Sequence, residues 1–297
     1  MAPVDGFTLT PVPGLRSPVV IMAFTGWSDT GTVTVDTGRR LVDAFAAEQF
    51  LTVDPEDYYV FTDSRPHVRI DEDGVRRIDW PKNEAYAARI PDAPNDLIIV
   101  LGAEPNLRWR TFSERLTDAI WELNPSLVCT LVARPAATPH TRPIPVSGSS
   151  ADPRLAARFG LGRSLYQGPT GILGVLHDSL RRRGANLISL AAGVPHYLNV
   201  EENPPATLAL LNALEPVLGF APPLGDLDDE VAAFAGRVEE ASRGDDQIGS
   251  YVRTLEENYG VPPEEEETAS EAGGGDLPSA DDILRDVEDF LRGGNDK

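Results

Sequence analysis

His140 and His196 are the residues whose type and setting best suit proton transfer. Each follows a proline, in Thr138-Pro139-His140-Thr141-Arg142-Pro143 and in Val194-Pro195-His196-Tyr197, just after an apolar stretch. The chain has four histidines, so half of them share this setting. An imidazole titrates near neutrality and can act as general acid or base beside a carboxylate. Asp29 and Glu104 are the candidate carboxylates and polar anchors, and Arg142 suits an anionic group. A positioned nucleophile is missing. There is no G-x-S-x-G elbow, no H-E-x-x-H and no other histidine pair at metal-ligand spacing. No catalytic residue, metal ligand or cofactor is therefore assigned. Cys129, the one cysteine, lies inside an apolar run and reads as a small buried hydrophobe. His177 falls within a helical pattern as a surface or packing residue. His67 follows Arg65-Pro66 at a strand start, where it joins the same rim or only serves the turn.

These side chains sit in loops, and the elements before the loops must place them. Residues 19–24, 97–101, 127–132 and 187–192 are short apolar runs bounded by Gly, Pro or Asp. Their lack of alternation suits strands buried on both faces, as in parallel sheets. Helical spacing marks 32–49, 112–123, 172–183 and 206–218. Strand alternating with helix predicts an α/β sheet covered on both faces. Ligands of such sheets bind beyond the carboxyl ends of the strands. Four strand-end loops would share that edge. They carry Trp27, Ser28 and Asp29; Glu104 and Trp109; His140, Thr141 and Arg142; and His196 and Tyr197. The alternative is that Pro- and Gly-rich loops only turn the chain, with Trp27 and Trp109 plugging its end.

Tyr166-Gln167-Gly168-Pro169-Thr170-Gly171 offers a tight turn, a proline suited to a first helical turn and a hydroxyl near free N–H groups. It lacks the lysine of a P-loop, and close helix–strand packing is the competing use. Residues 58–62 read as a strand. Residues 67–71 and 75–79 flank Glu72-Asp73-Gly74 as a hairpin, an antiparallel extension of the sheet with one wet face.

The 297 residues, 41% of them hydrophobic, suffice for one large core with an appendage. The net charge of −21 is uneven. Residues 226–297 hold 22 acidic and 6 basic residues, a balance of −16, and the first 225 carry the other −5. The expected organisation is an α/β core over 1–225, a helical extension over 226–260, an acidic disordered linker over 261–278 and an amphipathic helix over 279–297. The extension carries two apolar stripes, Val231, Phe234 and Val238, then Ile248, Val252, Leu255 and Tyr259. The last helix carries Ile283, Leu284, Val287, Phe290 and Leu291, and is too short to be stable undocked. An acidic chain repels nucleic acid and anionic membranes, so neither is an expected partner. No run approaches the roughly 20 apolar residues of a membrane span. The first 14 residues lack the pattern of a signal peptide, and one cysteine supports no disulfide framework. The expected location is the cytoplasm.

At these loops the chain resembles the actinobacterial branch of the proteasome assembly chaperone 2 family. The resemblance rests on strings found in order: Gly26-Trp27-Ser28-Asp29 with Gly31, Arg65-Pro66, Gly102-Ala103-Glu104-Pro105 with Trp109, the two Pro-His elements, and Tyr166 to Gly171. It implies a three-layer α/β/α sandwich of the phosphorylase/hydrolase-like kind, with a mostly parallel sheet and a C-terminal helical extension. It also implies a non-enzymatic chaperone or scaffold that forms homo-oligomers, trimers among them. Eukaryotic and archaeal relatives assemble or bind the proteasome core particle, so core-particle subunits are the implied protein partners. Relatives that dock there often use a terminal hydrophobic-Tyr-any tail. This sequence ends Gly294-Asn295-Asp296-Lys297, so docking by that route is not expected. The family supplies no agreed catalytic residues. The residues themselves leave a second reading open, an enzyme or small-ligand binder of nucleoside or phosphate type at the strand ends. The candidate binding residues are Trp27, Ser28, Asp29, Arg65, Glu104, Trp109, His140, Thr141, Arg142, Tyr166, Thr170, His196 and Tyr197.

Overall fold

Side chains of the run Val19–Thr25 enter two hydrophobic layers in turn. Val19, Ile21 and Ala23 face one layer; Val20, Met22 and Phe24 face the other; all six are buried. This is the burial that a non-alternating apolar run demands. The computed structural model describes residues 4–259 apart from 13, 72, 199 and 243–245. In chain order the strands and helices are β1 (Phe7–Leu9), β2 (Val19–Thr25), α1 (Val33–Ala44), β3 (Glu48–Val53), β4 (His67–Ile70), β5 (Arg76–Asp79), β6 (Asn83–Ala88), β7 (Leu97–Ala103), α2 (Trp109–Trp121), β8 (Leu127–Ala136), β9 (Val146–Ser149), α3 (Pro153–Phe159), α4 (Ile172–Arg182), β10 (Leu187–Pro195), α5 (Pro204–Leu218), α6 (Leu227–Ser242) and α7 (Asp246–Glu257).

Eight strands form one sheet in the order β1-β3-β6-β7-β2-β8-β10-β9. The four expected strands β7, β2, β8 and β10 are its central block and pair in parallel. Antiparallel strands flank this block on both sides, so the α/β sheet is mixed and its parallel part is the centre. Apolar residues of α1, α3, α5 and α6 pack on one face and those of α2 and α4 on the other. The result is the expected three-layer α/β/α arrangement.

Several expectations change. The helix expected over 32–49 ends at Ala44, Ala46 takes a left-handed φ of 45°, and the chain turns into β3. Phe50, Leu51 and Val53 are then buried on the sheet, and that burial overrides the helical spacing. Residues 58–62 are not a strand. A 3-10 turn at Pro55–Asp57, capped by Asp54, delivers Tyr58 and Tyr59 into the α2/α4 layer. Their hydroxyls donate to the carbonyls of Asp5 (2.7 Å) and Ala103 (2.6 Å). The hairpin forms, but β4 and β5 make a sheet of their own with both faces exposed, not an extension of the main sheet. Strands β1, β3, β6 and β9 escape the sequence pattern, because none is a continuous apolar run. The expected linker over 261–278 and helix over 279–297 lie outside the described residues. No helix among the described residues is long and apolar enough to cross a membrane.

Candidate functional site at the carboxyl edge of the sheet

Parallel register brings the ends of β2, β7, β8 and β10 to one edge. Thr25 pairs with Ala103, and Pro195 with Ala136. The loops are tied together there. Ala133 N–H donates to Ser28 O at 2.9 Å, the Thr30 hydroxyl to Ala133 O at 3.1 Å, and Thr32 N–H to Glu201 O at 2.9 Å. The candidate residues fall into two groups along this edge.

The first group surrounds the loop after β2. Glu104 lies against Gly26, where a Cβ would come within 2.8 Å of the Glu104 Cβ, and its Oε2 accepts the Trp27 N–H at 3.0 Å. Gly171, the residue that opens α4, passes similarly close: a Cβ there would meet Ser28 Oγ at 3.1 Å and Glu104 Oε2 at 3.2 Å. Asp29 turns inward. Its Oδ1 accepts the Thr34 N–H at 2.9 Å and caps α1, a role that Thr32 at the cap position does not perform. Its Oδ2 is buried without a hydrogen-bond partner. Burial pushes the Asp29 carboxyl up to about 7, against the pull of the Thr34 and Val35 N–H groups. Trp27 and Tyr166 point to solvent, 69% and 68% exposed. The Tyr166 hydroxyl donates to Pro169 O at 2.7 Å, and Thr170 leans over Gly174.

Two candidates stand apart. The Trp109 indole N–H donates to Pro105 O, and its side chain packs on the α2/α4 layer. Arg65 is exposed on the approach to β4, and among the described residues no hydrogen bond or ion pair joins it to the strand-end groups.

The second group is built around Tyr197. Its oxygen accepts the His140 backbone N–H at 2.7 Å and lies 2.7 Å from His140 Nδ1. Burial raises the Tyr197 phenol to about 12, so it keeps its hydrogen and can donate to Nδ1. Burial also lowers the His140 pKa, with Glu256 opposing, which favours the neutral ring carrying its hydrogen on Nε2. His196 adopts the opposite tautomer. Its Nδ1–H donates to Ala136 O (2.9 Å), leaving Nε2 to accept from the Tyr251 hydroxyl at 2.9 Å. His196, Tyr197 and Tyr251 meet edge to face in a triangle and His140 meets Tyr197 alone, with ring centroids 5.7–5.9 Å apart.

Tyr251 belongs to α7. This helix lies across the two Pro-His elements, packing Val252 and Leu255 on Tyr197. Thr141 donates to Glu256 Oε1 at 2.5 Å, Arg142 stands 4.0 Å from the same oxygen, and the Tyr259 hydroxyl donates to Pro143 O at 2.7 Å. The sequence shows the α7 stripe without its target. Its polar residues Tyr251 and Glu256 escape sequence reasoning, because they face a partner element rather than form a recognisable motif. The two histidines thus share one cluster, but their nearest ionisable neighbours are tyrosines and Glu256. Asp29 and Glu104 are engaged at α1 and at the Trp27 loop instead. Among the described residues no group of three or more His, Cys, Asp or Glu side chains could hold a metal ion.

The sequence pattern of the PAC2 family matches residues 23–242. The chain belongs to the PAC2 family. A PAC2 family protein from Streptomyces avermitilis is 41% identical in sequence, with a TM-score of 0.72 over 79% of this chain and 99% of its own. A proteasome-assembly chaperone homologue from Mycobacterium tuberculosis is 39% identical, with a TM-score of 0.70 over 79% of this chain and 99% of its own. An archaeal proteasome activator from Pyrococcus furiosus shares the fold at 19% identity, with a TM-score of 0.64 over 81% of this chain and 100% of its own. The curated proteins contain no match. The PAC2 match spans both groups of strand-end loops and stops at Ser242, so α7, which covers the histidines, lies beyond it.

Proposed function

We propose that this PAC2 protein is a non-enzymatic chaperone or scaffold that acts in the cytoplasm, as a homo-oligomer, on protein partners of the proteasome core-particle kind. One structural observation carries the reading. Where an enzyme of this architecture presents its chemistry, this chain commits its histidines to tyrosines and a carbonyl and turns Trp27, Leu165 and Tyr166 to solvent. Gly171 approaches the Trp27 side chain, and Tyr166 is bonded to Pro169, two residues upstream of Gly171. Trp27 and Tyr166 therefore project from adjoining stretches of chain. Exposed aromatic residues around engaged polar groups suit a protein-binding face. The Mycobacterium tuberculosis relative, described as a proteasome-assembly chaperone homologue, points the same way.

The test is to mix the full-length protein with core-particle subunits from the same organism. Complex formation and assembly rate are followed by native mass spectrometry. Binding, weakened by Trp27→Ala combined with Tyr166→Ala, is expected. The reading fails if the protein neither binds the subunits nor changes their assembly.

A second reading has one observation in its favour, the unpartnered Oδ2 of Asp29. A small polar ligand, such as a nucleoside, would satisfy it. A thermal melt against nucleosides and phosphates tests this, since a ligand of the folded state raises the melting point by mass action. No shift with either class removes the second reading.

A further inference from the structure

The β4–β5 hairpin has a structural problem that the strand-end loops do not explain. Its register, Val68 opposite Ile78 and Ile70 opposite Arg76, puts these four side chains on one face. His67, Arg69, Arg77 and Asp79 occupy the other. The charged face is already internally paired, with Arg69–Asp79 at 2.8 Å and Arg77–Asp71 at 2.9 Å. The apolar face is bare: Val68, Ile70 and Ile78 are 51%, 73% and 54% exposed. An isolated two-stranded hairpin is at best marginally stable in water, and a contiguous exposed apolar face marks an interaction surface.

A complementary surface lies on the same chain. Trp80 continues the apolar face and packs edge-on against Phe61 at 4.8 Å. Beyond it opens a groove of about 360 Å³, lined by Val53, Pro55, Trp80 and Pro81 with the carboxylates of Asp54, Glu56 and Glu84 and the ammonium of Lys82. The groove is apolar, and its three carboxylates outnumber the one lysine. The hairpin face is apolar with one cation, Arg76.

We propose that the apolar face of the β4–β5 hairpin is an arm that docks on a second copy of this chain, with Val68, Ile70 and Ile78 against the Trp80 groove and Arg76 facing Glu56. Charge complementarity supports the pairing. A marginal hairpin needs a cover present whenever the chain is present, and a second copy meets that condition. This inference rests on the homo-oligomer part of the proposed function and not on core-particle binding.

Sedimentation velocity on the full-length protein at micromolar concentration tests it. Wild type should sediment as an oligomer. Ile70→Lys combined with Ile78→Lys should give a monomer with unchanged circular dichroism, because both positions are exposed. Arg76→Glu should weaken association roughly tenfold or more by placing like charges together. Adding Glu56→Arg to Arg76→Glu should restore it. This charge swap decides the matter if the lysine variant does not fold. A monomeric wild type, or a lysine variant that folds and keeps the wild-type mass, overturns the arm. A swap that does not restore association overturns the groove as its receiver. A chain that assembles through the hairpin yet ignores core-particle subunits would sink the chaperone reading and leave this one standing.

Discussion

The hydroxyl oxygen of Tyr197 lies 2.7 Å from both the backbone nitrogen and the Nδ1 of His140. One side chain from the loop after β10 thereby fixes His140 in the loop after β8, and the next residue, Thr141, donates to Glu256 of α7. The Pro-His elements are better explained as a joint between the sheet edge and α7 than as a proton-transfer pair. Both ring nitrogens of His196 and Nδ1 of His140 are engaged in that joint.

Tyr197→Phe should therefore cost more than Tyr251→Phe. The first leaves a backbone N–H and an imidazole nitrogen without a partner in a partly buried site, a loss of about 1–3 kcal/mol. The second removes one hydrogen bond at the edge of α7, about 1 kcal/mol. Urea unfolding should rank them in that order. Hydrogen exchange should quicken in α7 for both. An α7 unaffected by either change would show that the joint does not hold it.

Asp29 should make the protein less stable as pH rises. Its folded-state pKa of about 7 stands above the ordinary 3.8, so the folded state holds a proton that the unfolded state releases. Stability is full below about 4 and is lost as pH climbs through 7, by on the order of 4 kcal/mol at most. Asp29→Asn keeps an acceptor for the Thr34 N–H and removes the buried charge. It should melt higher than wild type at pH 8, with the gap closing toward pH 4. Parallel melting curves across that range would refute the assignment.

His177 pulls in the opposite direction. Burial between α4, on which it lies, and β8 pushes its pKa down to about 4 from 6.5, and its Nε2 lies 2.9 Å from the Thr130 hydroxyl on β8. The unfolded chain binds a proton that the folded chain resists, so stability is lost as pH falls from 6.5 toward 4. His177→Gln should remove the loss between pH 6.5 and 4 and leave the opposite slope that Asp29 imposes between about pH 4 and 7. An acid limb unchanged in the variant would assign it elsewhere.

The central sheet is legible in the sequence because β2, β7, β8 and β10 are apolar without interruption, and burial on both faces requires that composition. The hairpin turn at Asp73-Gly74 is legible from its turn chemistry. Strands β3 and β6 are not. Gln49, Thr52, Asn83 and Glu84 make them look like loop or helix, and only their antiparallel pairing with each other and with β7 reveals them. The strand-end loops gather where topology alone places them. Which of their residues meet is hidden, because that depends on α7. A stripe of Val252 and Leu255 states that the helix docks, but not where.

Gly31 offers the last check, on how the loops after β2 and β10 are clamped. Its φ is +67°, and a Cβ there would stand 2.5 Å from the backbone oxygen of Glu201, which also accepts the Thr32 N–H. Gly31→Ala should therefore lose stability twice, about 1–2 kcal/mol for the left-handed backbone and more for the clash, because a backbone atom cannot rotate away. Gly74 separates the two effects. It has a similar φ of +76° in the hairpin turn, and no atom lies within 4 Å of the point where a Cβ would stand. Gly74→Ala should cost the backbone part alone. Chemical denaturation of both variants measures the difference. Equal losses would mean that the Thr32–Glu201 clamp yields without resistance, and that the two loops are not held at the distance this edge of the sheet requires.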